Sequence, residues 1–205
     1  MSKKEKRPSL KSPIGRLCFP AIFQKEQQME GATTPPKYAA TIVFDKAYLK
    51  ANKDEMARYQ AIRDMAEKVC LEKFKKSLKD AGAKIPRFWN PFRDGAEKAH
   101  LDGYGDGTIF FKASSRNKPG AVGNDAKTPI DDEAALYAGC YVRLSVSPYA
   151  FDNKMKGIGI GLNNVMFVKD GPPLAGGVNP AEDFGEFESD DSLGDETGGD
   201  EDDFL

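Results

Sequence analysis

The sequence predicts a mainly β protein: a small antiparallel β-barrel with one long inserted α-helix and a disordered acidic C-terminal tail. Three observations carry this. About five short segments combine β-branched and aromatic residues between Gly- and Pro-rich turns, too few for a sandwich of seven or more strands. One segment alone repeats apolar residues every three or four positions. Charge is divided by position: of 32 acidic residues twelve lie in 181–205, where there is no Lys or Arg. That leaves 20 acidic against all 30 basic residues in the first 180, a balance of +10.

Residues 1–12 read as a disordered basic arm, since five of them are Lys or Arg and only Leu10 is large and aliphatic. The folded body is expected over 13–175 and the disordered tail over 176–205. Residues 14–23, "IGRLCFPAIF", suit a strand bent at Pro20, and 37–45, "KYAATIVFD", a second strand. Met56, Tyr59, Ile62, Ala66, Cys70, Phe74 and Leu78 line one helical face, which predicts a helix over about 53–80. Asn52 with Glu55 resembles a capping box at its start, and Gly82 is expected to stop it. Residues 84–107 form a Gly- and Pro-rich loop insertion. Residues 108–115, 139–151 and 157–171 are three further strands. In the last, Gly157, Gly159 and Gly161 alternate with Ile158, Ile160 and Leu162, the pattern of a strand that must curve to close a barrel.

The composition bounds the chemistry. Cys18, Cys70 and Cys140 are odd in number and far apart, which suggests reduced thiols that fill core positions in a cytoplasmic setting. The basic start is followed by no apolar signal region, and no stretch approaches the roughly 20 apolar residues of a membrane span. A single histidine, His100, has no second histidine or CxxC to complete a zinc site. "GYGDG" and "GIGIG" match no nucleotide-loop spacing, and no GxSxG occurs. No catalytic residue, metal site or cofactor is therefore expected, and the chain is read as a binder rather than an enzyme.

Single-stranded nucleic acid is held by cations that follow phosphates and by aromatic faces that stack unpaired bases. The insertion interleaves the two: Arg87, Phe88 and Trp89, then Phe92 and Arg93, then Tyr104. Phe110 and Phe111 must point to opposite faces of their strand, one into the core and one outward as a platform. Phe111 is carried as the candidate, beside Lys112, with Arg116 and Lys118 in the loop beyond. Tyr141, Arg143 and Tyr149 add candidates on the following strand. A buried segment would avoid such a mixture of charge and aromatic residues. Lys3, Lys4, Lys6 and Arg7 offer non-specific phosphate contacts.

Three stretches, "FRDGAEKAHLDGYGDGTIFFKASSRNKPGAVG", "YAGCYVRLSVSPYAFDNKMKGIGIGLNNVMFVKDG" and the terminal "DEDDFL", make the chain resemble phage single-stranded-DNA-binding proteins. With the strand that opens at Ile14, the resemblance spans most of 14–171 plus the last residues. It implies an OB fold that coats single-stranded DNA in phage replication, recombination and repair, with duplex DNA or RNA as weaker ligands. It also implies an acidic, aromatic-ended tail that contacts replication partners such as a polymerase or helicase, here through Asp202, Asp203, Phe204 and Leu205. Leu205 departs from the family pattern, in which Phe commonly stands last, and the long insertion is not part of a minimal OB fold. A homodimer through a barrel edge or the helix is a further expectation. The alternatives are an acidic-tailed scaffold without a nucleic-acid role and a phage recombination nuclease or annealing protein.

Overall fold

The computed structural model describes residues 8–26 and 35–174. All of them lie in the first of two compact units, Met1–Ala175; the second, Gly176–Leu205, lies outside the described residues. Eight strands occur among the described residues: β1 Leu10–Lys11, β2 Gly15–Ala21, β3 Tyr38–Asp45, β4 Arg93–Asp94, β5 Thr108–Ser115, β6 Gly120–Val122, β7 Tyr141–Asp152 and β8 Lys156–Lys169. Three α-helices, α1 Lys46–Ala51, α2 Lys53–Phe74 and α3 Leu78–Lys84, lie between β3 and β4.

The pairings close on themselves. β7 pairs β2, β2 pairs β3, β3 pairs β5, β5 pairs β8 and β8 returns to β7; the β5–β8 pair is parallel and the others antiparallel. A closed cycle leaves these five strands without a free edge over their paired length, the device by which small barrels avoid edge-to-edge association. The mainly β fold expected from the sequence is therefore present. The sheet is mostly antiparallel, as expected, with the correction that among the described strands β5–β8 and β6–β8 pair in parallel.

Alternation along the strands separates inside from outside. Leu17, Ala40, Ile42, Phe44, Phe111, Ala113, Val142, Leu144, Ile160 and Leu162 fill the interior. Their neighbours in sequence, among them Arg16, Lys112 and Gly161, face away. The glycine face of β8, read from the sequence as a device for curvature, serves here as a seat for a ring. Gly159 pairs with Tyr149, whose ring would lie 2.6 Å from a Cβ built there, so the tyrosine covers bare backbone.

The helical region departs from expectation in three places. The helix predicted over 53–80 ends at Phe74, where Lys75 adopts the left-handed conformation (φ 56°) as C-cap. Ser77 then accepts from the Asp80 N–H and starts α3, so "SLKD" is a second start signal inside what reads as one period. Gly82 accordingly lies within α3 and is no stop. Asn52 makes no side-chain cap to α2; its amide donates to the Tyr48 carbonyl at 2.8 Å, and Asp45 caps a preceding short helix that the sequence reading missed. The basic arm is also shorter than predicted, because Leu10 and Lys11 pair with Val146 and Ser145 on β7, and Ser12 is buried.

Residues 89–94 complete the wall. β5 pairs with β8 only through Ala113 and Ser114, near its C-terminal end, and with β4 near its start. Trp89 bridges Gly157 at the start of β8, its N–H donating to the Lys156 carbonyl at 2.9 Å and its carbonyl accepting from Ile158 N–H at 3.0 Å. The "WNPFRD" segment thus bonds to β8 at one end and β5 at the other, where those strands splay. A Cβ at Gly157 would sit 2.6 Å from the Trp89 Cβ, so this approach requires glycine.

Candidate nucleic-acid interface

Tying the insertion to both strands fixes the direction of its side chains. Phe92 turns inward and packs edge-on against Tyr59 and Phe111, with ring centroids 5.9 and 6.2 Å apart. Phe88 turns toward α2 and meets Phe74 edge-on at 5.6 Å, in the cluster formed by Ala66, Cys70, Leu78 and Ile158. Trp89 and Arg93 remain on the outer surface, Trp89 with 39% of its area exposed. Of the "FWNPF" aromatics, two serve packing and one is available to a ligand.

Arg93 lies between two rings, its guanidinium carbon 5.6 Å from the Trp89 centroid and 5.4 Å from that of Phe110. It also pairs with Glu97 one helical turn on. Lys98 stands over three rings: Phe19 at 5.2 Å, Phe110 at 5.3 Å and Tyr104 at 5.5 Å. No carboxylate lies within salt-bridge distance of Lys98 among the described residues. Partial burial, together with the cations of Arg93 and Lys112, holds its ammonium below the usual lysine range. A cation that sits on aromatic faces and is repelled by two neighbours gains from an arriving phosphate. Phe19, Lys98, Tyr104, Arg93 and Trp89 thus form a cation–aromatic band on the outside of β2, β3 and β5.

Two members of the band were not found from the sequence. Phe19, 53% exposed, takes a left-handed conformation (φ 47°) at the bulge before Pro20, which turns its ring outward. The signal was present, since Phe19 stands between core positions Leu17 and Ile22 beside a proline. Lys98 carried no signal beyond its place in the insertion, within the 3-10 turn Gly95–Lys98.

The other expected residues divide. Phe111 is wholly buried against Phe44 and Phe92, and Phe110, on the other face of the strand, is buried too beneath Tyr104 and Leu174; the expectation that one of the two is an outward platform is corrected, since neither ring is open to a base. Tyr104 meets Phe110 edge-on at 5.1 Å, and its buried hydroxyl lies beside the Cys18 thiol without a well-formed hydrogen bond. Burial raises the pKa of both groups. Lys112 is exposed and pairs with Glu26. Lys118 lies 5.4 Å from the Phe23 ring, and Arg116 and Arg87 are exposed. Tyr149 covers the β8 glycines, and Tyr141 is flanked by Arg16 at 6.0 Å and Lys169 at 4.8 Å.

Arg143 is a second correction. Its guanidinium donates to both oxygens of Glu55, at 2.8 and 3.2 Å, and to the Ser12 carbonyl at 2.6 Å. The two side chains are only 16% and 13% exposed, so this charge is spent inside the protein, joining β7 to α2 and the N-terminal segment. Burial works against the Glu55 carboxylate, but Arg143 and the Ile14 N–H outweigh it and hold its pKa below the usual range.

His100 is exposed in the insertion, and no group of three His, Cys, Asp or Glu among the described residues is placed to hold a metal. All three cysteines are free and buried. No described helix is long and apolar enough to cross a membrane. Lys3, Lys4, Lys6, Arg7, Asp202, Asp203, Phe204 and Leu205 lie outside the described residues.

Residues 11–194 match the family model described as the ssDNA-binding protein of Enterobacter phage Enc34. Protein p50 of Acyrthosiphon pisum secondary endosymbiont phage 1 is 29% identical over 171 residues, covering 82% of this chain and 88% of p50. The solved single-stranded DNA-binding protein from bacteriophage Enc34 in complex with ssDNA aligns with a TM-score of 0.60 at 19% identity, covering 80% of this chain and 88% of that one. The crystal structure of gp2.5, a single-stranded DNA binding protein encoded by bacteriophage T7, aligns with a TM-score of 0.54 at 15% identity over 87% of this chain and 99% of gp2.5. At such identities these two likenesses establish a shared fold.

Proposed function

This chain belongs to the phage Enc34 single-stranded-DNA-binding protein family, and we propose that it coats single-stranded DNA, without reading sequence, in phage replication and recombination in the host cytoplasm. The observation that carries this reading is Lys98, a cation without a carboxylate partner among the described residues, ringed by Phe19, Tyr104 and Phe110 and neighboured by Arg93 on Trp89. The exposed rings of Phe19 and Trp89 supply stacking surface to any base and the cations supply phosphate contacts, a combination indifferent to sequence. The action is stoichiometric binding without turnover.

The charge division supports a second component. The twelve acidic residues of 181–205 form a polyanion that competes with DNA for a body of charge +10, and DNA then frees "DDFL" for replication partners such as a polymerase or helicase. Fluorescence anisotropy with labelled oligo(dT), its duplex and an RNA of equal length tests the first part: tight binding to oligo(dT) is expected, with log K falling by about 0.7 per phosphate neutralised as log salt rises. Absence of binding would favour the scaffold alternative. Removing 181–205 is expected to tighten binding at low salt, and unchanged or weaker binding would overturn the competitor component.

A further inference from the structure

The strand register places six residues in one line across six strands; Lys169, Tyr141, Arg16 and Arg93 reach the surface, while Val43 and Phe110 lie buried in the cluster covered by Tyr104 and Leu174. Lys169 on β8 pairs with Tyr141 on β7, Tyr141 with Arg16 on β2, Arg16 with Val43 on β3, Val43 with Phe110 on β5, and Phe110 with Arg93 on β4. At about 4.8 Å between neighbouring strands the line runs roughly 24 Å around the outside. One end, Phe110 and Arg93, belongs to the cation–aromatic band. The other end opens into a cleft of about 690 Å³, the size of a small-ligand site, lined in part by Arg16, Val43, Tyr48, Tyr141 and Lys169.

That cleft repeats the chemistry of the band. Tyr141 is flanked by the cations of Arg16 and Lys169, as Trp89 and Phe110 flank Arg93. Tyr48, on α1, is 39% exposed and offers a second ring. Two cations face one carboxylate, Asp45, whose oxygen accepts from the Tyr48 N–H. Between band and cleft lies Leu174, packed on the Cys18–Val43–Phe110 cluster and 3.0 Å from a Cβ built on Gly103 in the cleft wall. Arg16 donates to the Pro172 carbonyl of the same segment.

We propose that the cleft at Tyr48, Tyr141 and Lys169 is a second nucleotide subsite, and that a single strand held at Trp89 and Lys98 passes over the Leu174 segment to reach it. The inference rests on the single-strand reading above. A ring beside two cations recognises a base joined to a phosphate, and a spacing from the band of roughly 24 Å, which a short oligonucleotide spans, favours a strand over a free nucleotide as its source.

Oligo(dT) of increasing length, from about 4 to about 16 nucleotides, titrated into the full chain and into Tyr48→Ala and Lys169→Ala, tests this, with Trp89 emission reporting the band. Short oligonucleotides should bind all three proteins alike and quench Trp89 equally. Long ones should bind each variant about ten-fold more weakly, the scale of one lost contact. Wild-type affinity of both variants for long oligonucleotides would overturn the subsite while leaving the proposed function intact; failure of the unmodified chain to bind any length would overturn that function itself. Thymidine monophosphate added as a competitor separates the sources. Loss of the length-dependent gain at micromolar nucleotide would overturn the strand assignment, and its persistence supports it.

Discussion

Arg93 and Arg143 both stand beside apolar or aromatic residues in the sequence, yet the fold gives them opposite tasks. Arg143 faces α2 and the N-terminal segment, where Glu55 and the Ser12 carbonyl take its donors. Arg93 faces outward between Trp89 and Phe110, within the field of Lys98, whose ammonium stands over the Phe19, Tyr104 and Phe110 rings without a salt bridge among the described residues. The first region uses charge to hold elements together, and the second leaves charge in excess for a ligand. Both arginines pair with a carboxylate, Arg93 with Glu97 and Arg143 with Glu55; what distinguishes them is that the inner pair is mostly buried beneath α2 while the outer one stays open to solvent beside Lys98.

The largest effect should come from breaking the inner pair. Glu55→Ala leaves a mostly buried guanidinium without its carboxylate, only the Ser12 carbonyl remaining, and is expected to cost about 3 kcal/mol of stability, read from urea unfolding, with DNA affinity of the folded protein unchanged. Its pH dependence has a definite sign. The Glu55 carboxyl is held below its unfolded value near 4.3, so its contribution is present above that pH and is lost as pH falls through the folded value. Glu55→Gln should flatten that acid limb of the stability curve.

On the outer face, Trp89→Ala should weaken oligo(dT) binding by about 1 to 3 kcal/mol, the contribution of one stacked base, while shifting thermal stability little because the side chain is exposed. Phe111→Leu should do the reverse, lowering stability by about 1 kcal/mol through lost packing against Phe44 and sparing affinity. Lys98→Gln should reduce the slope of log K against log salt by about 0.7. The smallest effect is at alkaline pH. A phosphate would restore the depressed Lys98 pKa, so affinity should begin to fall with rising pH below the ordinary lysine range, and Lys98→Arg should delay that fall.

The contrast also marks what local sequence can carry. The strands at Tyr38–Asp45, Thr108–Ser115 and Lys156–Lys169 were legible because alternation and glycine placement are local properties. The helix break at Lys75 was not, because the apolar period runs through it and only the Ser77 cap marks the restart. Trp89 and Arg93 were legible as a pair, since ring and charge adjoin in the chain. The partners of Lys98 come from β2, the insertion and β5, so they meet only once register is set. Register likewise decides that both Phe110 and Phe111 are covered and removes Arg143 from the surface, and no single strand contains that information.

Trp89 is the sole tryptophan, so its emission reports the band alone. Titrating oligo(dT) into the full chain at several salt concentrations should quench it to saturation, with an affinity that falls steeply as salt rises and a shallower fall in Lys98→Gln. Unchanged emission in the presence of oligo(dT), at low salt and with 181–205 removed, would contradict the assignment of this band as the DNA-binding surface.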